Sequence, residues 1–80
     1  MRNKIIVFNF GVSDKAEVLV IENGNIIYAG EFHGTVFSDI LKELLDHKDA
    51  YCYLPKYAYL KSLNGNSCFD ILINSGFRVA

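Results

Sequence analysis

Residues 4–32 read KIIVFNFGVSDKAEVLVIENGNIIYAGEF and contain three runs rich in Val, Ile, Phe and Tyr, the residue types that favour β-strands. The runs are 4–10, 17–22 and 25–32. Gly11-Val12-Ser13-Asp14 separates the first two, and Asn23-Gly24, a strong signal for a two-residue hairpin turn, separates the last two. The stretch therefore predicts a three-stranded antiparallel meander.

The first run is continuously apolar, which is typical of a strand covered on both faces in the middle of a sheet. The second and third runs also carry apolar residues at both odd and even positions. We therefore expect helices to shield at least one face of the sheet. The other face is expected to be covered or to form a contact surface.

A helix is predicted after the meander, with Thr35 as its N-cap because the hydroxyl can accept a hydrogen bond from a free amide of the first turn. The inward-facing stripe would consist of six apolar residues: Val36, Phe37, Ile40, Leu41, Leu44 and Leu45. Asp39, Glu43 and Asp46 fall on the opposite side, and we interpret them as a solvated charged face.

The remaining residues predict a strand over 50–54, a short helix over 55–63, a second helix capped by Ser67 and a last strand over 77–80. Asp70 stands three residues after Ser67, as in a capping box, and Gly76 suits the left-handed position that ends a helix. The second helix would pack inward through Phe69, Leu72 and Ile73.

This order of elements predicts one α/β domain over residues 1–80, with a mixed five-stranded sheet. A strand that returns to its sheet through a helix does so by a right-handed crossover, so the later strands would lie parallel to the first. The simplest strand order is 3-2-1-4-5, with the first strand at the centre.

Charge and composition narrow the classes of function. Eight basic and nine acidic residues give a net charge of −1, and no clustered basic run is present, which argues against a general nucleic-acid binder. No apolar run approaches the roughly 20 residues that a bilayer requires, so we expect a soluble cytoplasmic protein without a membrane partner. Cys52 and Cys68 are interpreted as two buried thiols.

The predicted order, an antiparallel meander followed by α-β-α-β, resembles the ribonuclease H-like fold, which includes nucleases, Holliday-junction resolvases and actin-like ATPase domains. Residues 5–30, IIVFNFGVSDKAEVLVIENGNIIYAG, look like the opening of such domains. The resemblance implies a metal-binding aspartate on the first strand, but Asn9 stands there, in Phe8-Asn9-Phe10-Gly11. An amide has no charge to offer Mg²⁺, which favours carboxylate oxygens. We therefore predict no enzymatic activity, no catalytic residues, no metal and no cofactor.

A phosphate-binding loop is an alternative that the actin-like members of this fold suggest. Its residues would be Gly11, Ser13, Asp14 and Lys15, whose amides and amine could cradle an anion. A solvated hairpin turn is the competing interpretation of the same four residues.

Tyrosines interleaved with lysines form the most unusual local feature. These candidate binding residues are Tyr51, Tyr53, Lys56, Tyr57, Tyr59 and Lys61. A flat apolar ring with a polar tip suits a protein interface, and it also suits stacking on single-stranded nucleic acid. Burial at the edge of the core is the third interpretation.

The sequence thus predicts a small non-catalytic binding protein that acts through a protein partner, as an inhibitor, an adaptor or an accessory factor of a phage or mobile element. Nucleotide, phosphate or single-stranded nucleic-acid binding is the alternative. A homodimer formed through an edge strand, either the third or the fifth, is a further prediction.

Overall fold

The computed structural model describes residues 3–10, 15–34, 37–54, 62–63 and 66–80. Its strands are β1 (Lys4–Phe10), β2 (Lys15–Glu22), β3 (Asn25–His33), β4 (Tyr51–Tyr53), β5 (Ser62–Leu63), β6 (Asn66–Ser67) and β7 (Arg78–Val79). Its helices are α1 (Phe37–Lys42) and α2 (Cys68–Asn74), with a 3₁₀ turn at Leu45–His47.

Five of the strands form a mixed sheet in the order β3-β2-β1-β4-β7. The pairs β1–β2 and β2–β3 are antiparallel, whereas β4 runs parallel to both β1 and β7. The predicted order 3-2-1-4-5 is confirmed, with β7 as the strand predicted to be fifth. β1 is central, as its apolar run indicated.

The hairpin between β2 and β3 turns at Asn23-Gly24, where φ is +51° and +85°. Two successive positive φ values are typical of the type I′ turn that Asn-Gly favours in two-residue hairpins. A register shift follows at Val20 and Ile21, opposite the start of β3. Ile26 and Ile27, at this end of the hairpin, are exposed.

The core lies on one face of the sheet. Side chains from that face and from both helices form a single buried cluster: Ile6, Phe8, Ala16, Val18, Val20, Phe37, Ile40, Leu41, Leu44, Ala50, Cys52, Cys68, Leu72 and Phe77. The sheet residues in this cluster occupy the even-numbered positions, which share a face because side chains alternate along a strand. Both described helices therefore cover the same side.

β1 is thus covered by helices on one side rather than on both. Ile5 and Val7, on its other side, are only partly buried. The apolar run of β1 therefore meets a different environment on each face. Helices pack against one face, and on the other its side chains contact those of neighbouring strands.

Both ends of α2 follow the predicted capping chemistry. The Ser67 hydroxyl accepts a hydrogen bond from the Asp70 amide at 3.2 Å and donates to the Asp70 carboxylate at 3.0 Å. At the other end, Gly76 has φ +88°, and the Phe77 amide donates to the Leu72 carbonyl at 3.0 Å. The latter bond and the left-handed glycine are the marks of a Schellman motif.

The predicted first helix is too long at its C-terminal end. Because α1 ends at Lys42 and the chain continues as a 3₁₀ turn, the α-helical spacing is lost and Leu45 points outward, 55% exposed. Leu44, one residue earlier, is fully buried. Thr35 and Val36 lie outside the described residues.

Two predictions for the C-terminal half are also wrong. Residues 62–63, expected to end a helix, form β5 and pair antiparallel with β6. Asn64-Gly65, between these two strands in the sequence, lies outside the described residues. In α2, Leu72 is buried as expected, but Phe69 and Ile73 are exposed, because the helix buries the side that carries Cys68 instead.

Leu44 and Leu45 allow a direct test of one-sided packing. Leu44→Ala should lower the free energy of unfolding by about 2–5 kcal/mol, because it removes buried contacts and leaves a cavity. Leu45→Ala, the same substitution at an exposed position, should change it by less than about 0.5 kcal/mol. Urea unfolding followed by circular dichroism measures both values, and equal losses would contradict the described position of Leu45.

Candidate protein-contact face

The sheet has a second face, opposite the helices, which we call the open face. Side chains that alternate with the buried ones reach it from all five strands. In chain order they are Ile5, Val7, Asn9, Lys15, Glu17, Leu19, Ile21, Ile26, Ala29, Glu31, His33, Tyr51, Tyr53 and Arg78.

Strand register arranges the apolar members of the open face in two cross-strand rows. One row runs Ile26, Ile21, Ile5 and Tyr51 and ends at Arg78; the other runs Ala29, Leu19, Val7 and Tyr53. Directly opposed side chains on neighbouring strands stand about 4.5–5.5 Å apart, so each row is a continuous strip. Together they make the centre of the open face apolar.

Tyr51 and Tyr53 are the most prominent side chains of the open face, with exposed fractions of 48% and 47%. Arg78 lies over the Tyr51 ring, with its guanidinium carbon 5.3 Å from the ring centroid. This distance is within the range of a cation–π contact. The contact presents a flat aromatic surface with a positive charge beside it.

Charged residues occupy the opposite corner of the open face, at the ends of β2 and β3. Lys15 Nζ lies 3.1 Å from Glu17 Oε1 and 3.5 Å from Glu31 Oε1, and His33 Nε2 lies 2.9 Å from the same Glu31 oxygen. We call Lys15, Glu17, Glu31 and His33 the acidic corner. With His33 neutral, its two carboxylates and one ammonium group give it a net negative charge.

Electrostatics within the acidic corner follow from these contacts. The hydrogen bond to Glu17, together with the charge of Glu31, raises the pKa of Lys15. The hydrogen bond with His33, together with the charge of Lys15, lowers the pKa of Glu31. Both groups are exposed, so solvent screens these interactions. They favour the charged forms of Lys15 and Glu31 but stabilise the fold only weakly.

A shallow hollow crosses the open face over β2 and β3. It is lined by Glu17, Leu19, Ala29, Gly30 and Glu31. Ala29 contributes little side-chain volume there. The hollow thus lies between the acidic corner and the apolar rows.

The structure brings together only some of the predicted site residues. Tyr51 and Tyr53 share the open face, as their alternation in the strand predicted, whereas Lys56, Tyr57, Tyr59 and Lys61 lie outside the described residues. Arg78 was missed, since it is 27 residues from Tyr51 in the sequence and reaches it only through the β4–β7 pairing.

Three residues of the predicted phosphate loop, Gly11, Ser13 and Asp14, lie outside the described residues. Lys15 belongs to β2 rather than to the loop, and its ammonium group contacts two carboxylates. Anion binding at these four residues stays a prediction.

Asn9 lies on the open face with its side chain exposed, paired across the strands with Glu17. Among the described residues, no group of three or more His, Cys, Asp and Glu side chains is arranged to hold a metal ion. In the same part of the chain, the helices are too short and too polar for any of them to span a bilayer.

Comparison with protein-family models, with curated proteins and with solved structures gave no match to this chain.

Cys52 and Cys68 are both buried thiols, as predicted. Burial raises the pKa of the Cys52 thiol to about 12, from 9.0 for an unperturbed group. Because the folded state holds the proton more tightly, its contribution to stability is complete below about pH 9 and is lost as the pH rises toward 12.

Both thiols should therefore resist a thiol reagent in the native protein. At pH 8 we expect less than one-tenth of the two thiols to react with Ellman's reagent within minutes, and both to react at once in 6 M guanidinium, a condition chosen to unfold the chain. Absorbance of the released thiolate measures this. Rapid titration of one thiol in the native protein would contradict the burial described for it.

Proposed function

We propose that this chain is a non-catalytic binding protein that contacts another protein through the open face of its sheet. The supporting observation is that both described helices cover one face of the sheet, while Tyr51 and Tyr53 stand half-exposed on the other among apolar cross-strand rows. Contiguous apolar surface rimmed by polar groups is typical of an interaction site.

The composition of the open face supports protein contact in particular. Tyrosine and arginine are enriched among the residues that carry most of the binding energy at protein interfaces. Here Tyr51, Tyr53 and Arg78 are adjacent, and charged groups lie toward the rim. An apolar centre with a polar rim is the usual anatomy of such interfaces.

A ribonuclease H-like ancestry belongs to the same proposal. The antiparallel meander followed by strands parallel to β1, in the order 3-2-1-4-5, supports it. Asn9, in place of the metal-binding aspartate that the resemblance implies, favours a binding role over a nuclease. An inhibitor, an adaptor or an accessory factor of a mobile element, acting in the cytoplasm, is the class of protein proposed.

Two substitutions matched in exposure test the open face. Tyr53 is 47% exposed on the open face, and Ile73 is 46% exposed on α2 on the other side of the molecule. Tyr53→Glu should weaken binding to a stoichiometric companion about 10-fold or more, because it removes an aromatic contact and places a charge in the interface. Ile73→Glu should leave binding within about 2-fold.

Affinity purification of the tagged wild-type protein and the two variants, followed by titration of the recovered companion, provides the measurement. Urea unfolding of the variants shows that both remain folded. A companion bound equally well by all three proteins would contradict the proposal, as would recovery of the wild-type protein as a monomer with no companion.

A further inference from the structure

We infer that the partner of the open face is a second copy of this chain, packed face to face about a two-fold axis that passes near Val7. This inference rests on the proposed function, since it names the occupant of the same face. It differs from pairing along the edge of β3, because it buries the apolar rows and leaves the edges of the sheet free.

The charges of the open face are arranged for self-association. Glu31 and Arg78 lie at opposite corners, four strands apart and four residues apart along the strand direction. With about 4.8 Å between strands and 3.3 Å per residue, the two positions are roughly 23 Å apart. None of the described ion pairs joins them: within the acidic corner Lys15 offsets only one of the two carboxylates, and at the opposite corner the guanidinium group of Arg78 lies over the Tyr51 ring.

A two-fold axis in the plane of the interface brings the opposite charges of two copies together. The midpoint of the line joining Glu31 and Arg78 is Val7, on the central strand. Rotation about an axis through this point, perpendicular to that line, places Glu31 of each copy against Arg78 of the other. The interface is isologous, so the dimer contains this ion pair twice. The strands of the two copies then cross at roughly 70°, close to orthogonal sheet packing.

The same rotation accounts for the shape of the open face. It places the Tyr51 ring of one copy above Leu19 and Ala29 of the other, which line the shallow hollow. Tyr51 is half-exposed in the single chain, and the small side chain at Ala29 leaves room for a ring. A projecting aromatic residue thus meets a hollow, and the match occurs twice by symmetry.

The size of the face predicts a dimer that dissociates on dilution. Five strands, and five residues along each of them, span roughly 19 Å by 13 Å. This is smaller than the standard interface, which buries about 800 Å² per partner. The net charge of −1 gives little repulsion between the two copies.

A charge swap tests the register of the dimer. Sedimentation velocity over a range of protein concentrations should show the wild-type chain passing from monomer to dimer. Arg78→Glu alone, or Glu31→Arg alone, should raise the dissociation constant about 10-fold or more, since each variant places like charges together at two sites. The double variant Glu31→Arg/Arg78→Glu should return to within about 3-fold of the wild-type value.

Lys42→Glu is the matched control, because it changes the net charge by the same amount as Arg78→Glu but lies on the exposed side of α1. It should leave the dissociation constant within about 2-fold of the wild-type value. A wild-type monomer at every concentration would overturn the inference. So would a dimer insensitive to both single reversals, as pairing along the β3 edge would give, or a double variant as weak as the single ones.

These outcomes separate the inference from the proposed function. The wild-type chain could prove monomeric and still bind a companion that Tyr53→Glu loses and Ile73→Glu keeps. That result would overturn the second copy as the partner but would support the open face as the contact surface. If the companion is also insensitive to Tyr53→Glu, both proposals fail.

Discussion

Burial of one side of β1 under both helices is the constraint on which the rest of the structure depends. Ile6 is fully buried and Phe8 nearly so, and Phe8 contacts Phe37 at the start of α1 with ring centroids 5.4 Å apart. An 80-residue chain buries only about 60–65% of its unfolded surface, so a second covering layer is hard to build at this length. Concentrating the buried residues on one face gives one complete core.

The open face is the consequence of this packing. Side chains alternate along each strand, so every strand that contributes to the core also presents its intervening residues on the other side. Those residues are largely apolar in the middle of the sheet and charged at two opposite corners. This composition is the basis of the proposal that the open face contacts a partner, and of the inference that the partner is a second copy.

Features that depend on neighbouring residues could be predicted from the sequence. The Asn23-Gly24 hairpin, the Ser67–Asp70 cap and the glycine end of α2 each involve a few residues in fixed relative positions, so their chemistry is visible in the chain. Helix length was harder to predict. The apolar pattern continues through Leu45, yet α1 ends at Lys42, and in the 3₁₀ turn that follows Leu44 is buried and Leu45 is exposed. The inward packing predicted for Phe69 and Ile73 was wrong for a similar reason, since both sides of α2 carry apolar residues.

The candidate site divides in the same way. Tyr51 and Tyr53 could be assigned to one face from their alternation, and the central place of β1 could be inferred from its apolar run and from crossover handedness. Which face the helices cover, the contact of Arg78 with Tyr51, and the separation of Arg78 from the acidic corner were decided only by tertiary structure. The order of the strands was predicted from the order of the elements, but these features depend on the register between strands that are distant in sequence, and local periodicity carries no information about that register.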